Sequence, residues 1–168
     1  MISFCVRQIA SAATGIAVLA FASLGFAQTL PKEGNYDFTS CWSGVLTPIA
    51  FSKTHFAYSY EHTGSTRSNP PGGMFDKNTF RCVGMMASFE GQNSGRTVCE
   101  AIDKDGDKRL THFATSSDGT TIRETVAGTG KYEGIVESGS GAPLGPFPVI
   151  KPGTYQDCNQ QTGTYKLP

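Results

Sequence analysis

The side chains with the most chemistry to offer lie in two neighbouring stretches, Lys108–Thr115 (KRLTHFAT) and Thr120–Val126 (TTIRETV). His112, Arg123 and Glu124 are an imidazole, a guanidinium and a carboxylate. Gathered in one cavity, they would supply the acid–base and charge-stabilising groups of an isomerase or cyclase acting on an apolar substrate. That gathering is a demand on the fold. Successive side chains of a strand point to opposite faces, so Arg123 and Glu124 do not enter the same interior. An inward charge also needs a partner. A lone strand histidine is more often structural or exposed than catalytic.

The other constellations are thinner. Asp103–Lys108 (DKDGDK) has the look of a calcium loop. An EF-hand loop needs glycine at position 6 and an acid at position 12. Counted from Asp103, Gly106 falls at the fourth position and Ala114 at the twelfth, so the stretch reads as a hairpin turn centred on Asp105-Gly106. The cysteines are far from any C-x-x-C spacing, and only His55, His62 and His112 are available to assist them, which argues against zinc. There is no G-x-S-x-G, H-E-x-x-H or Walker loop. Gly128-Thr129-Gly130 opens like a dinucleotide fingerprint, but the sixth position is Glu133. The reading therefore assigns no catalytic residue, no cofactor and no metal ligand.

The frame around these residues is that of an exported chain. Met1–Ala27 combines Arg7, an apolar run over Ile9–Phe26, and small residues Gly25 and Ala27 before Gln28, the pattern of a cleavable signal peptide. Residues 28–168 form a usual length for one domain. Loss of Arg7 leaves 13 of the 14 basic residues against 14 acidic ones, a net of −1. That balance points away from nucleic acid and, once the leader is gone, from a membrane. Cys5 leaves with the leader, and Cys41, Cys82, Cys99 and Cys158 remain. An even count in an exported chain reads as two disulfides with three connectivities open. Cys82–Cys99 with Cys41–Cys158 is favoured. The first pair flanks the turn-like Glu90–Gly95, and the second ties the first strand to the last, which are neighbours when a sheet closes.

After the leader, short alternating runs separated by Gly, Pro, Asn and Asp give the all-β pattern. Asn35–Trp42 reads as an opening strand, with Gly44–Pro48 as a connection. His55–His62 alternates Phe56, Tyr58 and Tyr60 on one face. Thr63–Gly73, ending in Pro-Pro-Gly-Gly, reads as a polar hairpin loop or lid. Phe80–Glu90 pairs with Arg96–Asp103, and Met85 and Met86 suit an irregular core or a permissive pocket. Asp118-Gly119 is a further turn. Pro143–Pro152 holds four prolines and reads as an excursion over one end. Gly153–Cys158 and Thr162–Leu167 read as short terminal strands or one strand with a bulge.

Val126–Gly141 (VAGTGKYEGIVESGSG) carries five glycines around Tyr132 and implies a tight turn feeding a bent strand, as a barrel needs. Its Gly128-Thr129-Gly130-Lys131-Tyr132-Glu133-Gly134-Ile135 resembles the Gly-Thr-Gly-Lys-aromatic strand of the allene oxide cyclase and dirigent barrel group, and of small exported bacterial proteins. Ala127 and Glu137 stand where those families often carry glycine, and no catalytic residue of the plant enzymes matches a position here. The resemblance implies an eight-stranded antiparallel barrel whose interior holds a small apolar molecule, with a homo-oligomer such as a trimer as an option.

The expected protein is thus an all-β, antiparallel barrel of about eight strands, lipocalin-like or allene oxide cyclase-like, with two disulfides. It binds a small apolar ligand rather than catalysing. The candidate ligand-binding residues are Tyr58, Tyr60, Met85, Met86, His112, Arg123 and Tyr132. The rivals are the enzyme described above and a solid-cored structural protein of the cell envelope.

Overall fold

Alternating side chains and turn dipeptides build eight strands. The structure, a computed structural model, describes residues 30–168, so the expected leader at Met1–Ala27 lies outside the described residues. The strands are β1 (Glu33–Ala50), β2 (Phe56–Ser68), β3 (Thr79–Phe89), β4 (Gln92–Ile102), β5 (Lys108–Thr115), β6 (Thr121–Gly128), β7 (Val136–Pro143) and β8 (Thr154–Lys166). One 3-10 turn, Gly130–Tyr132, lies between β6 and β7. All neighbours are antiparallel, in the spatial order β6-β5-β4-β3-β2-β1-β8-β7. The sheet curls into a nearly closed barrel whose edge strands, β6 and β7, meet at a seam bridged by side chains. The all-β, eight-stranded antiparallel expectation holds.

Both favoured disulfides form, each between residues directly opposite in a ladder: Cys41 with Cys158 across β1 and β8, and Cys82 with Cys99 across β3 and β4. The first staples the first strand to the last. The second lies inward, with Cys82 buried.

Because the strands alternate in direction, the two barrel ends differ. The base collects the β2–β3 loop, the β4–β5 turn, the 3-10 turn and both ends of the described chain. Here Tyr36, Phe38, Met74, Phe75, Tyr132, Ile135 and Tyr165 form the buried apolar cluster, with Leu30 and Leu167 packed against it. The Phe75 ring lies 5.3–6.0 Å from those of Tyr36, Phe38 and Tyr132. The mouth collects the β1–β2, β3–β4, β5–β6 and β7–β8 connections, and exposes Ile49, Phe51, Phe89, Val149 and Ile150. The barrel is a cup, plugged at one end by its hydrophobic core.

Several sequence boundaries need correction. Gly44–Pro48 is not a connection but part of β1, paired with β2. Past Val45 the β8 side of β1 carries no ladder partner, and a proline is tolerated on such an edge. Thr63–Ser68 continues β2, and the loop that follows is no lid at the mouth. Residues 69–78 turn into the base, where the Thr66 hydroxyl donates to the Phe75 carbonyl and Met74 and Phe75 plug the barrel. The β3–β4 turn is only Glu90-Gly91, both at positive φ (55° and 82°), so Gln92–Gly95 belongs to β4. The final strand is continuous over Thr154–Lys166.

Candidate functional site

The inward face of the barrel can be read strand by strand from the register. Ser40 opposes Thr66, Trp42 opposes Gly64, and Leu46 opposes Tyr60. Tyr60 opposes Gly84 and His62 opposes Cys82. Trp42 also opposes Asp157, and Ser40 opposes Asn159. Glycine is required at two of these places. A Cβ on Gly64 would meet the Cys41 carbonyl and the Phe80 ring, and one on Gly84 would lie 2.6 Å from the Tyr60 ring. Their absence lets aromatic rings lie across neighbouring strands.

These side chains leave a two-chambered lumen. The lower chamber, about 260 Å³, lies above the base plug and mixes aromatics (Phe38, Phe80, Phe113) with polar groups such as Ser40, Asn78 and Gln161. The upper chamber, about 240 Å³, is lined by Leu46, Tyr58, Met86, Tyr155 and Asp157. Trp42, Tyr60 and His62 line both chambers. A larger recess of about 890 Å³ beside Cys41–Cys158 is lined by Trp42, Phe80 and Asp157 together with the exposed ionic groups Arg81, Glu100 and Lys108.

His62 stands at the waist between the chambers. Its ring stacks on Trp42 (5.5 Å) and Tyr60 (5.7 Å), and its Nδ1 is 2.6 Å from the Tyr155 hydroxyl. Burial disfavours the imidazolium and pushes the His62 pKa down to about 4, so the ring is neutral at pH 7. Burial raises the Tyr155 phenol above its ordinary range. The ligand atoms of His62, Cys82 and Cys99 lie within 4.8 Å of one another, but both sulfurs are held in the disulfide, which leaves the imidazole alone as a metal ligand.

The floor of the lower chamber is ionic. Arg109 from β5 and Arg123 from β6 converge on Glu137 from β7. Arg109 Nη1 lies 2.6 Å from Glu137 Oε1 and Arg123 Nη2 lies 2.5 Å from Glu137 Oε2. Their side chains are 7%, 15% and 3% exposed. Arg123 Nη1 donates to the Tyr36 hydroxyl at 2.7 Å, and Thr125 donates to Glu137 at 3.0 Å. The Arg109 guanidinium rests 3.9 Å above the Phe75 ring, a cation–π contact with the core plug. Burial, ahead of every other influence, lowers the Arg109 pKa, and the neighbouring Arg123 charge pushes the same way against Glu137. Two guanidiniums share one carboxylate, so the group carries a net positive charge. It also closes the β6–β7 seam.

Of the residues singled out from sequence, Tyr58, Tyr60 and Met86 line the lumen, and Arg123 reaches its floor with the partner that an inward charge demands. The others lie elsewhere. Met85 alternates with Met86 and is 57% exposed on the outer face. His112 and Glu124 oppose each other across β5–β6, on the face opposite Arg123. Tyr132 is buried in the base plug beneath the floor. Arg109, Glu137, Trp42 and His62 were not selected as site residues. The signal for Arg109 was its alternation with Thr111 and Phe113, masked because a polar inward face reads as an outward one. Glu137 stood out only as an acid among glycines. Compared with family models, curated proteins and solved structures, the chain matches none of them.

Proposed function

We propose that this protein is an exported, non-catalytic carrier that holds a small, largely apolar ligand in the barrel lumen. The observation that supports this best is the half-buried aromatic wall of Trp42, Tyr58, Tyr60 and Tyr155, which faces space rather than a packed core. The apolar cluster that stabilises the fold sits apart, at the base. Aromatic walls with a few placed polar groups are what small-molecule pockets use. A cavity of about 150 Å³ accepts a benzene-sized guest, and each chamber exceeds that. Export rests on the leader-like start of the sequence and on two disulfides, which persist in oxidising compartments. The isomerase reading loses support, because His112 and Glu124 turn away from the lumen that Arg123 enters.

Trp42, the only tryptophan, touches both chambers and so reports on either. Titration with the neutral probe N-phenyl-1-naphthylamine should quench Trp42 saturably at one probe per chain. Trp42→Phe should abolish the energy transfer while probe emission still saturates. A linear, non-saturating response in the oxidised protein would refute the carrier reading.

A further inference from the structure

The floor of the lower chamber carries more charge than closing a seam requires. Arg109 and Arg123 face a single carboxylate, Glu137, and both Nε atoms are buried without a hydrogen-bond partner. Both arginines line the lower chamber, so their positive charge borders the space a ligand would fill. Glu137 Oε1 accepts from Arg109 and Thr125, and Oε2 lies at ion-pair distance from Arg123 without a hydrogen bond of its own. The other carboxylate of the lumen, Asp157, lines the upper chamber and is absent from the lining of the lower one. His62 is neutral at pH 7 and adds no charge.

We propose that the lower chamber selects an aromatic monoanion, its carboxylate or sulfonate set against Arg109 and Arg123 and its ring lying among Phe80, Phe113, Tyr60 and Trp42. This rests on the carrier reading and deepens it from an apolar ligand to an anionic aromatic one. Guanidinium groups favour oxyanions that accept two parallel N–H bonds, by geometry as well as by charge. The volume, about 260 Å³, suits one or two fused rings.

The test compares 2-naphthoate with 2-naphthalenemethanol, alike in shape and different in charge, by calorimetric titration of the oxidised protein in zwitterionic buffer at pH 7. The acid should bind at least tenfold more tightly, with an advantage that shrinks as salt is added. Arg123→Gln should reduce that preference to less than threefold. Equal binding of the two compounds, or a preference untouched in Arg123→Gln, overturns the anion site and leaves the carrier reading standing. Binding of neither compound overturns both. Should Arg123→Gln fail to fold, the wild-type comparison of the two compounds decides.

Discussion

Lys131→Met tests the idea that one lysine holds the base of the barrel. The Lys131 ammonium lies 2.5 Å from Asp103, 2.8 Å from Asp105 and 3.6 Å from Asp107, at the centre of the β4–β5 turn. Asp103 is 4% exposed and Lys131 25%. Methionine keeps an unbranched stem and removes the ammonium, which also lies 5.5 Å from the centre of the Tyr132 ring. Breaking a buried pair costs about 3–5 kcal/mol. The low end applies, because Lys131 is partly hydrated and Asp103 still accepts from the Asp105 and Asp107 amides. About 3 kcal/mol corresponds to a fall of roughly 10 °C in Tm for a domain of this size. Burial raises the Asp103 carboxyl, but Lys131 and the two amides outweigh it and hold the group below its ordinary value. Lys104 and Lys131 hold Asp105 at about 2. Stabilisation by such depressed carboxyls is complete above the unfolded value of 3.8 and is lost as pH falls toward the folded one. Burial lowers the Lys131 ammonium, but its hydrogen bonds to Asp103 and Asp105 raise it overall, so its share persists up to alkaline pH. Melts followed by near-ultraviolet circular dichroism should therefore show the full deficit at pH 7 and a smaller one near pH 2.5. Calcium should leave the wild-type Tm unchanged, since the ammonium already fills the centre of the turn. A Tm within 2 °C of wild type at pH 7, or a deficit undiminished in acid, would refute the clamp.

Glu137→Gln should cost about 3–5 kcal/mol in urea unfolding, because two buried guanidiniums lose their shared counter-charge. Hydrogen exchange should then rise first in β6 and β7, and a loss under 1 kcal/mol would show that the seam does not depend on this group. His62 should stay neutral by NMR until the pH approaches about 4. Its folded value lies below the ordinary 6.5, so the unfolded chain takes up the proton first, and stability should fall as pH drops through that window. His62→Gln should lose that part of the acid sensitivity, and an unchanged pH profile would count against a neutral, buried ring.

The strands were legible because turn chemistry brackets them. Asp105-Gly106 and Asp118-Gly119 fix both ends of β5, and Gly106 and Gly119 adopt the positive φ that such turns need (90° and 85°). The disulfides were legible because Cys82 and Cys99 flank one turn, and because barrel closure makes the first and last strands, with Cys41 and Cys158, neighbours. The lumen was harder. Its inward positions on β8 are Asp157, Asn159 and Gln161, and on β5 they are Arg109, Thr111 and Phe113. A half-polar interior breaks the rule that alternation sorts apolar in from polar out. The base plug was missed for another reason. Met74 and Phe75 follow a Pro-Pro-Gly-Gly run that signals an exposed loop, and nothing local says that the loop turns inward.

Within the glycine-rich segment that stands out in the sequence, Thr129–Tyr132 serves the base, while Glu137 holds the floor of the lumen. Thr129 exchanges hydrogen bonds with Lys108, donating its amide to the carbonyl and accepting from the amide on its hydroxyl, which holds the start of β5. Gly130, at φ 54°, passes so close to the Asp107 carboxylate that a Cβ has no room. Lys131 grips the aspartates of the β4–β5 turn, and Tyr132 fills the plug. The polar contacts of Thr129 and Lys131 thus tie this part of the segment to the β4–β5 turn and the start of β5. The chemistry of this barrel is accordingly to be sought in scattered inward residues such as Arg109, Arg123 and His62, each on a different strand and none of them part of a contiguous motif.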